Sequence, residues 1–164
     1  MTRELIWKFA KVNFKNIDKR IENEDIGSSY KNEIKNKLAQ SETLLERQYN
    51  DIYTHDNQKF QATVEDTLNN LLSSLEADCG IYIDLITIND VIQRKKIYDD
   101  AHKNIINMIN LASNNEPDFT KRTDRIIQLD RVMFDIEDFY QDTTFDNIDF
   151  KELVRSKIKK VKEQ

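Results

Sequence analysis

The sequence predicts an all-α protein, a bundle of five or six amphipathic helices, and three observations carry the prediction. Apolar residues recur at spacings of three and four along almost the whole chain, which is the helical period. Only two Gly and one Pro occur in 164 residues, too few for a fold rich in tight turns. Charged residues make up 34% and hydrophobic ones 38%, a balance shifted towards helices that give over half their surface to water. Disorder would also suit a polar chain, but Leu, Ile and aromatic residues recur too regularly for it. The length suggests one helical domain spanning residues 1–164.

The first helix is expected over 4–25. Ile6, Ala10, Phe14, Ile17 and Ile21 keep one face apolar, and Leu5, Phe9 and Val12 add a second stripe. Two stripes let a helix touch more than one neighbour, while Trp7 lies off both rows. Gly27, before Ser28 and Ser29, reads as a helix stop followed by a new N-cap. Residues 29–55 form the second helix on Tyr30, Ile34, Leu38, Leu45, Tyr49 and Ile52. Residues 57–78 form the third, on Phe60, Val64, Leu68, Leu71, Leu72 and Leu75. The polar run "THDNQ" between them either turns the chain or is helical throughout. Turned, residues 29–78 make a long helical hairpin; straight, they make a rod of about 75 Å over roughly 50 residues. His55 and Asp56 are weak helix formers and Asn57 is a fair N-cap, so the hairpin is favoured.

The stretch "ADCGIYIDLITIND" interrupts this pattern. Ile81, Ile83 and Leu85 alternate with Tyr82, Asp84 and Ile86, which hints at a strand. No second strand candidate exists, and a lone strand leaves its backbone unpaired. Thr87 with Asp90 resembles a capping box and sets a helix start at 88. The stretch therefore reads as a joint at 78–88 between an N-terminal and a C-terminal helical half, with Gly80 ending or bending one helix. Further helices are expected over 88–113, 119–142 and 148–162, separated by "SNNEPD" and "DTTFDN". On 119–142 the core row is Ile126, Leu129, Met133, Ile136 and Tyr140, thickened by Ile127, Phe134 and Phe139. No internal repeat of solenoid type is found.

Net charge is −5 and the pI about 5.2, which disfavours nonspecific nucleic-acid binding. One Cys forms no internal disulfide, and no apolar run approaches the roughly 20 residues of a membrane span. The N-terminus lacks a signal-peptide pattern, so a cytoplasmic protein is expected. Two glycines exclude the glycine-rich nucleotide loops and the GxSxG elbow. Neither ExxE, used by all-helical nucleotide pyrophosphohydrolases, nor the paired ExxH of di-iron bundles occurs; Glu22–Asp25 alone gives an ExxD.

Four groups remain as candidate sites. From Val132 to Phe150 there is no Lys or Arg, while Asp135, Glu137, Asp138, Asp142, Asp146 and Asp149 fall there. That suits a surface docking a basic partner, or a plain solvated face; a hard-ion loop generally needs a glycine. Lys151, Arg155, Lys157, Lys159, Lys160 and Lys162 load the last helix, where the macrodipole favours cations in the final turn. Asp99 and His102 share a helical face, though a surface histidine is the simpler reading. "His-Asp" at 55–56 has no partner ligands in the sequence. Cys79 beside Asp78 reads as a small buried hydrophobe, because the carboxylate would raise its pKa.

The expected function is a non-enzymatic protein–protein interaction module: an adaptor, inhibitor or assembly component, as in a virion or mobile-element machine. Its candidate partner-binding residues are Asp135, Asp138, Asp142, Asp146, Lys157, Lys159 and Lys160, with no cofactor and with another protein, or a second copy, as partner. The alternative is a nucleic-acid-binding regulator using the basic terminal helices, including Lys8, Lys11, Lys15, Lys19 and Arg20 near Trp7. The weaker alternative is a metal-dependent hydrolase drawing on Asp99, His102 and the 135–149 acids.

Overall fold

A computed structural model describes residues 1–53, 56–142 and 146–164. Among these the chain forms six helices and no strand: α1 (Arg3–Asn23), α2 (Ser28–Asn50), α3 (Asn57–Cys79), α4 (Ile88–Asn115), α5 (Phe119–Gln141) and α6 (Asn147–Lys162). It divides into two compact units, Met1–Val91 and Ile92–Gln164, each with its own buried cluster.

Helix ends follow local chemistry. Asp56, Asp118 and Asp146 are N-caps whose carboxylates accept from Lys59 N, Lys121 N and Asp149 N at 2.8, 3.0 and 2.7 Å, satisfying donors that a helix start leaves unpaired. The cap of α3 is thus Asp56, one residue before the expected Asn57. Gly27 is the N-cap of α2, and α1 stops earlier than expected, with Glu24 as its C-cap. Of the expected breaks, Thr54 and His55 in one and residues 143–145 in the other lie outside the described residues.

In the first unit α1, α2 and α3 pack pairwise, so residues 28–79 form the hairpin and not the rod. The two stripes of α1 are both used: Ile6, Ala10, Ile17 and Ile21 are fully buried, and Phe9 and Phe14 nearly so. Trp7, off both rows in sequence, is buried against α2, its ring 5.5 Å from that of Tyr49. Ile52 does not extend the α2 face; it lies past the helix end and is exposed.

Residues 80–87 are neither helix nor strand. Gly80, at φ 64°, caps α3 in the left-handed region, its N–H donating to Glu76 O at 2.9 Å. The chain then lies on the core of the first unit, with Ile81 buried and Ile83, Leu85 and Ile86 partly so. At Ile86 its backbone is paired by a side chain instead of a strand. Asn13, fully buried on α1, accepts from Ile86 N at 2.8 Å and donates to Ile86 O at 3.0 Å and to Phe9 O at 3.1 Å. An amide presents the same donor and acceptor types as the backbone, so one asparagine pairs the N–H and C=O of Ile86 as a neighbouring strand would. Thr87 and Asp90 form the reciprocal capping box, at 3.0 and 3.2 Å, and α4 begins at Ile88.

The second unit repeats the first. Arg94 follows Arg3 by 91 residues (94 − 3), and the same offset relates Ile6 to Ile97, Trp7 to Tyr98, Ala10 to Ala101, Asn13 to Asn104, Leu38 to Leu129, Tyr49 to Tyr140 and Asp51 to Asp142. It also carries both ends of α2 onto those of α5, each 23 residues long. An offset of 90 (146 − 56) then relates Asp56, Asn57, Phe60 and Val64 to Asp146, Asn147, Phe150 and Val154. The interactions correspond as well. The Arg3 guanidinium donates to the carbonyls of Tyr49 at 2.7 Å and Asp51 at 3.0 Å, closing the C-terminus of α2, and lies 4.8 Å from the Phe60 ring. Arg94 donates to the carbonyl of Asp142 at the end of α5 and lies 4.9 Å from the Phe150 ring. Trp7–Tyr49–Phe60 has its counterpart in Tyr98–Tyr140–Phe150, with centroids at 5.5 and 6.1 Å in one and 4.3 and 6.3 Å in the other. The period is a whole three-helix unit, far longer than a solenoid repeat.

Candidate functional site

The sequence-predicted acidic residues do not converge. Asp135 is paired with Lys157 at 2.6 Å, joining α5 to α6, and Glu137 accepts from Tyr98 OH at 2.6 Å. Asp142 and Asp146 cap helix ends, and Asp138 and Asp149 are exposed on α5 and α6. Among the described residues no three His, Cys, Asp or Glu side chains come together as metal ligands do. Asp99 is bound to Lys95 at 2.6 Å, and His102 lies against the Tyr98 ring with centroids 6.1 Å apart. Cys79 is partly buried beside the first core. Nearby, Tyr30 donates to Asp78 at 2.9 Å, and burial, with Cys79 and Asp78 beside it, holds its phenol above the usual range.

The basic residues of α6 separate into two groups. Lys157 is engaged, paired with Asp135 and 5.7 Å from the Phe139 ring, and Lys160 is exposed. Lys151, Arg155, Lys159 and Lys162, with Lys96 of α4, instead edge a groove of about 990 Å³ between α4 and α6. Its floor is apolar: Ile97, Ala101, Val154 and Ile158 also belong to the second core. Lys96, Lys151, Arg155 and Lys162 form no ion pair among the described residues; Lys159 reaches Glu163 at 3.7 Å across exposed surface. Asp100 and Glu152 are the acids of the rim.

The groove can be compared with its counterpart in the first unit. Asn104, which lines it, is the counterpart of Asn13. On α1 that flank is covered by residues 80–87 and Asn13 is fully buried. On α4 the flank is exposed at Asn104, whose side chain makes no hydrogen bond among the described residues. The rim has also changed character. Lys96, Lys151, Arg155, Lys159 and Lys162 stand where the first unit has Leu5, Gln61, Glu65, Asn69 and Leu72. Sequence reasoning noted most of these cations but not Asn104, whose only signal is a polar residue recurring 91 positions after another on an apolar helix face.

A second surface departs from expectation. Ile127 and Phe134, expected on the core face of α5, are 43% and 73% exposed, and Phe119 is 71% exposed. At 100° per residue Ile127 and Phe134 lie well over 100° from Leu129, Ile136 and Tyr140, which take the core, while Phe119 stands in the first turn of α5. Among the described residues, no helix is long and apolar enough to cross a membrane. Comparison of the chain with family models, curated proteins and solved structures returns no match.

Proposed function

We propose that the protein is a non-enzymatic interaction module whose second unit receives a segment of another protein in the α4–α6 groove. One observation carries this reading: the apolar floor of Ile97, Ala101, Val154 and Ile158 is edged by Lys96, Lys151, Arg155, Lys159 and Lys162. An apolar floor bounded by charge is the usual form of a docking groove. The engagement of several candidate acids supports a structural role for them: Asp99 and Asp135 are in ion pairs, Glu137 accepts from Tyr98 and Asp146 caps α6.

Photocrosslinking tests the proposal. A photoreactive residue replacing Lys151 or Asn104 in the full chain should yield a discrete protein adduct in cells, while one replacing exposed Lys19 on α1 should not. Charge reversal at Arg155 should abolish the adduct. Equal adducts from all positions, or none from the groove, would reject the reading.

A further inference from the structure

We propose that a second copy of the chain docks on the outer face of α5, antiparallel to it about a two-fold axis at Ile127. The proposal is independent of the α4–α6 groove. Phe119, Ile127 and Phe134 are all exposed, although Arg122 lies 5.5 Å from the Phe119 ring. The internal repeat shows that the fold does not require apolar side chains there. Their counterparts 91 residues earlier are Ser28, Asn36 and Thr43, polar and exposed on α2. The face is thus open in both units, and only the second has made it apolar. Its charges have no partner within the chain: the side chains of Asp124, Asp130 and Arg131 form no hydrogen bond or ion pair among the described residues.

The pattern is self-complementary. Phe119 and Phe134 stand eight residues before and seven after Ile127, and Asp124 and Arg131 three before and four after. At about 100° per residue, Asp124 and Arg131 share one flank, about 60° and 40° from Ile127, while Phe119 and Phe134 share the other, about 80° and 20° away. In an antiparallel two-fold pair, residues on the same flank at equal distances from the axis face each other. Ile127 then meets its own copy, Phe134 meets Phe119, and Arg131 meets Asp124, the last two contacts each made twice. Asp130, on the aromatic flank, falls opposite Thr123. A parallel pair would join Arg131 to Asp130 but set Phe119 and Asp124 against Thr120 and Thr123, so only the antiparallel pair uses every group. Acids beside the apolar residues also suit a lipid surface poorly. One helix against one helix is a small interface, so the dimer is weak and forms at micromolar concentrations and above.

The test is sedimentation of the full chain over a concentration series reaching about 300 µM, where dimer should accumulate. Ile127→Asn with Phe134→Thr, which installs the first unit's residues, should weaken association by about tenfold or more. Asp124→Arg alone and Arg131→Asp alone should each weaken it about tenfold, because like charges then face each other twice. Mixed in equal amounts, these two variants should associate as well as the parent, since each supplies the charge that the other lacks. Altered folding of either variant cannot produce that recovery. In a Cys79→Ser background, Ile127→Cys should oxidise to a linked dimer, whereas Phe134→Cys, with its two copies about 21 Å apart, should not. A chain that stays monomeric would overturn the proposal, as would association indifferent to Phe134→Thr or a mixture no better than its components. Equal linkage through both cysteines would mark a parallel pair and overturn it as well. A monomeric chain that yields adducts from a photoreactive residue at Phe134 would assign the face to another protein instead.

Discussion

Asn13 and Asn104 are the same residue at the same register of two copies of one unit, and their surroundings make them energetically different. Asn13 is fully buried with its amide engaged by Phe9 and Ile86. Removing it leaves a peptide donor and acceptor unpaired, at about 1–3 kcal/mol for such a group. Asn13→Ala should therefore lower unfolding free energy by about 2 kcal/mol and expose the Ile86 amide to hydrogen exchange. Asn104→Ala, at an exposed site, should stay within about 0.5 kcal/mol of the parent in the same denaturant titration. A large loss from both would mean that Asn104 is engaged. Tyr98 makes a pH-dependent contribution. Burial, then its hydrogen bond to Glu137, pushes its phenol up to about 12. An unfolded tyrosine titrates near 10. Because the folded state holds this proton more tightly, the stability it confers is complete below about pH 10 and is lost as pH rises towards about 12. Tyr98→Phe should reduce the loss of stability across that window, and it should remove one of the phenols, Tyr30 being another, that absorb as un-ionised above pH 10 in the parent.

Among the elements, the joint between α3 and α4 is defined by its two ends. Gly80 turns the chain out of α3 in the left-handed region, and a Cβ added there would meet nothing within 4 Å. The cost of Gly80→Ala is therefore conformational alone, about 1–2 kcal/mol, with Gly80→Asn milder because Asn tolerates that region better. Thermal unfolding of the two variants should show that order; an unchanged Ala variant would mean that α3 continues past Cys79. Residues 81–86 carry the alternation of a strand without being one. Alternation reports which side chains face a core, and here the core is a helix flank with an asparagine in place of a neighbouring strand.

For the molecule as a whole, the two cores are built on the same plan. Phe60 and Phe150 are both fully buried beneath an arginine that closes a helix end. Truncating such a residue costs about 3–5 kcal/mol. Phe60→Ala should raise hydrogen exchange chiefly in α1–α3, and Phe150→Ala chiefly in α4–α6, because the buried clusters are separate. Uniform deprotection from either variant would mean that the units unfold as one. Arg3 and Arg94 show why the repeat is hard to read from sequence. Few identities survive, and those that do mark a helix-end arginine, an aromatic triplet and an aspartate cap, whose shared purpose is visible only once α1 meets the end of α2 and α4 the end of α5.

The sequence by itself determined the all-α class, the helices to within a few residues and the capping box at Thr87, and it favoured the α2–α3 hairpin over a rod without deciding between them. These depend on period and on contacts between residues three or four apart. Tertiary structure alone decided the rest. Ile127 and Phe134, expected on the core face of α5, are an exception, because the helical period alone turns them well over 100° from Leu129, Ile136 and Tyr140, and they face water. The acidic run 135–149 looked like one site, yet its members mostly serve separate helix ends and neighbours. Asn13 and Asn104 look alike along the chain, and only the packing of residues 80–87 on α1 buries one against a backbone while the other is exposed. Periodicity records which side of a helix is apolar, whereas what covers that side depends on residues tens of positions away.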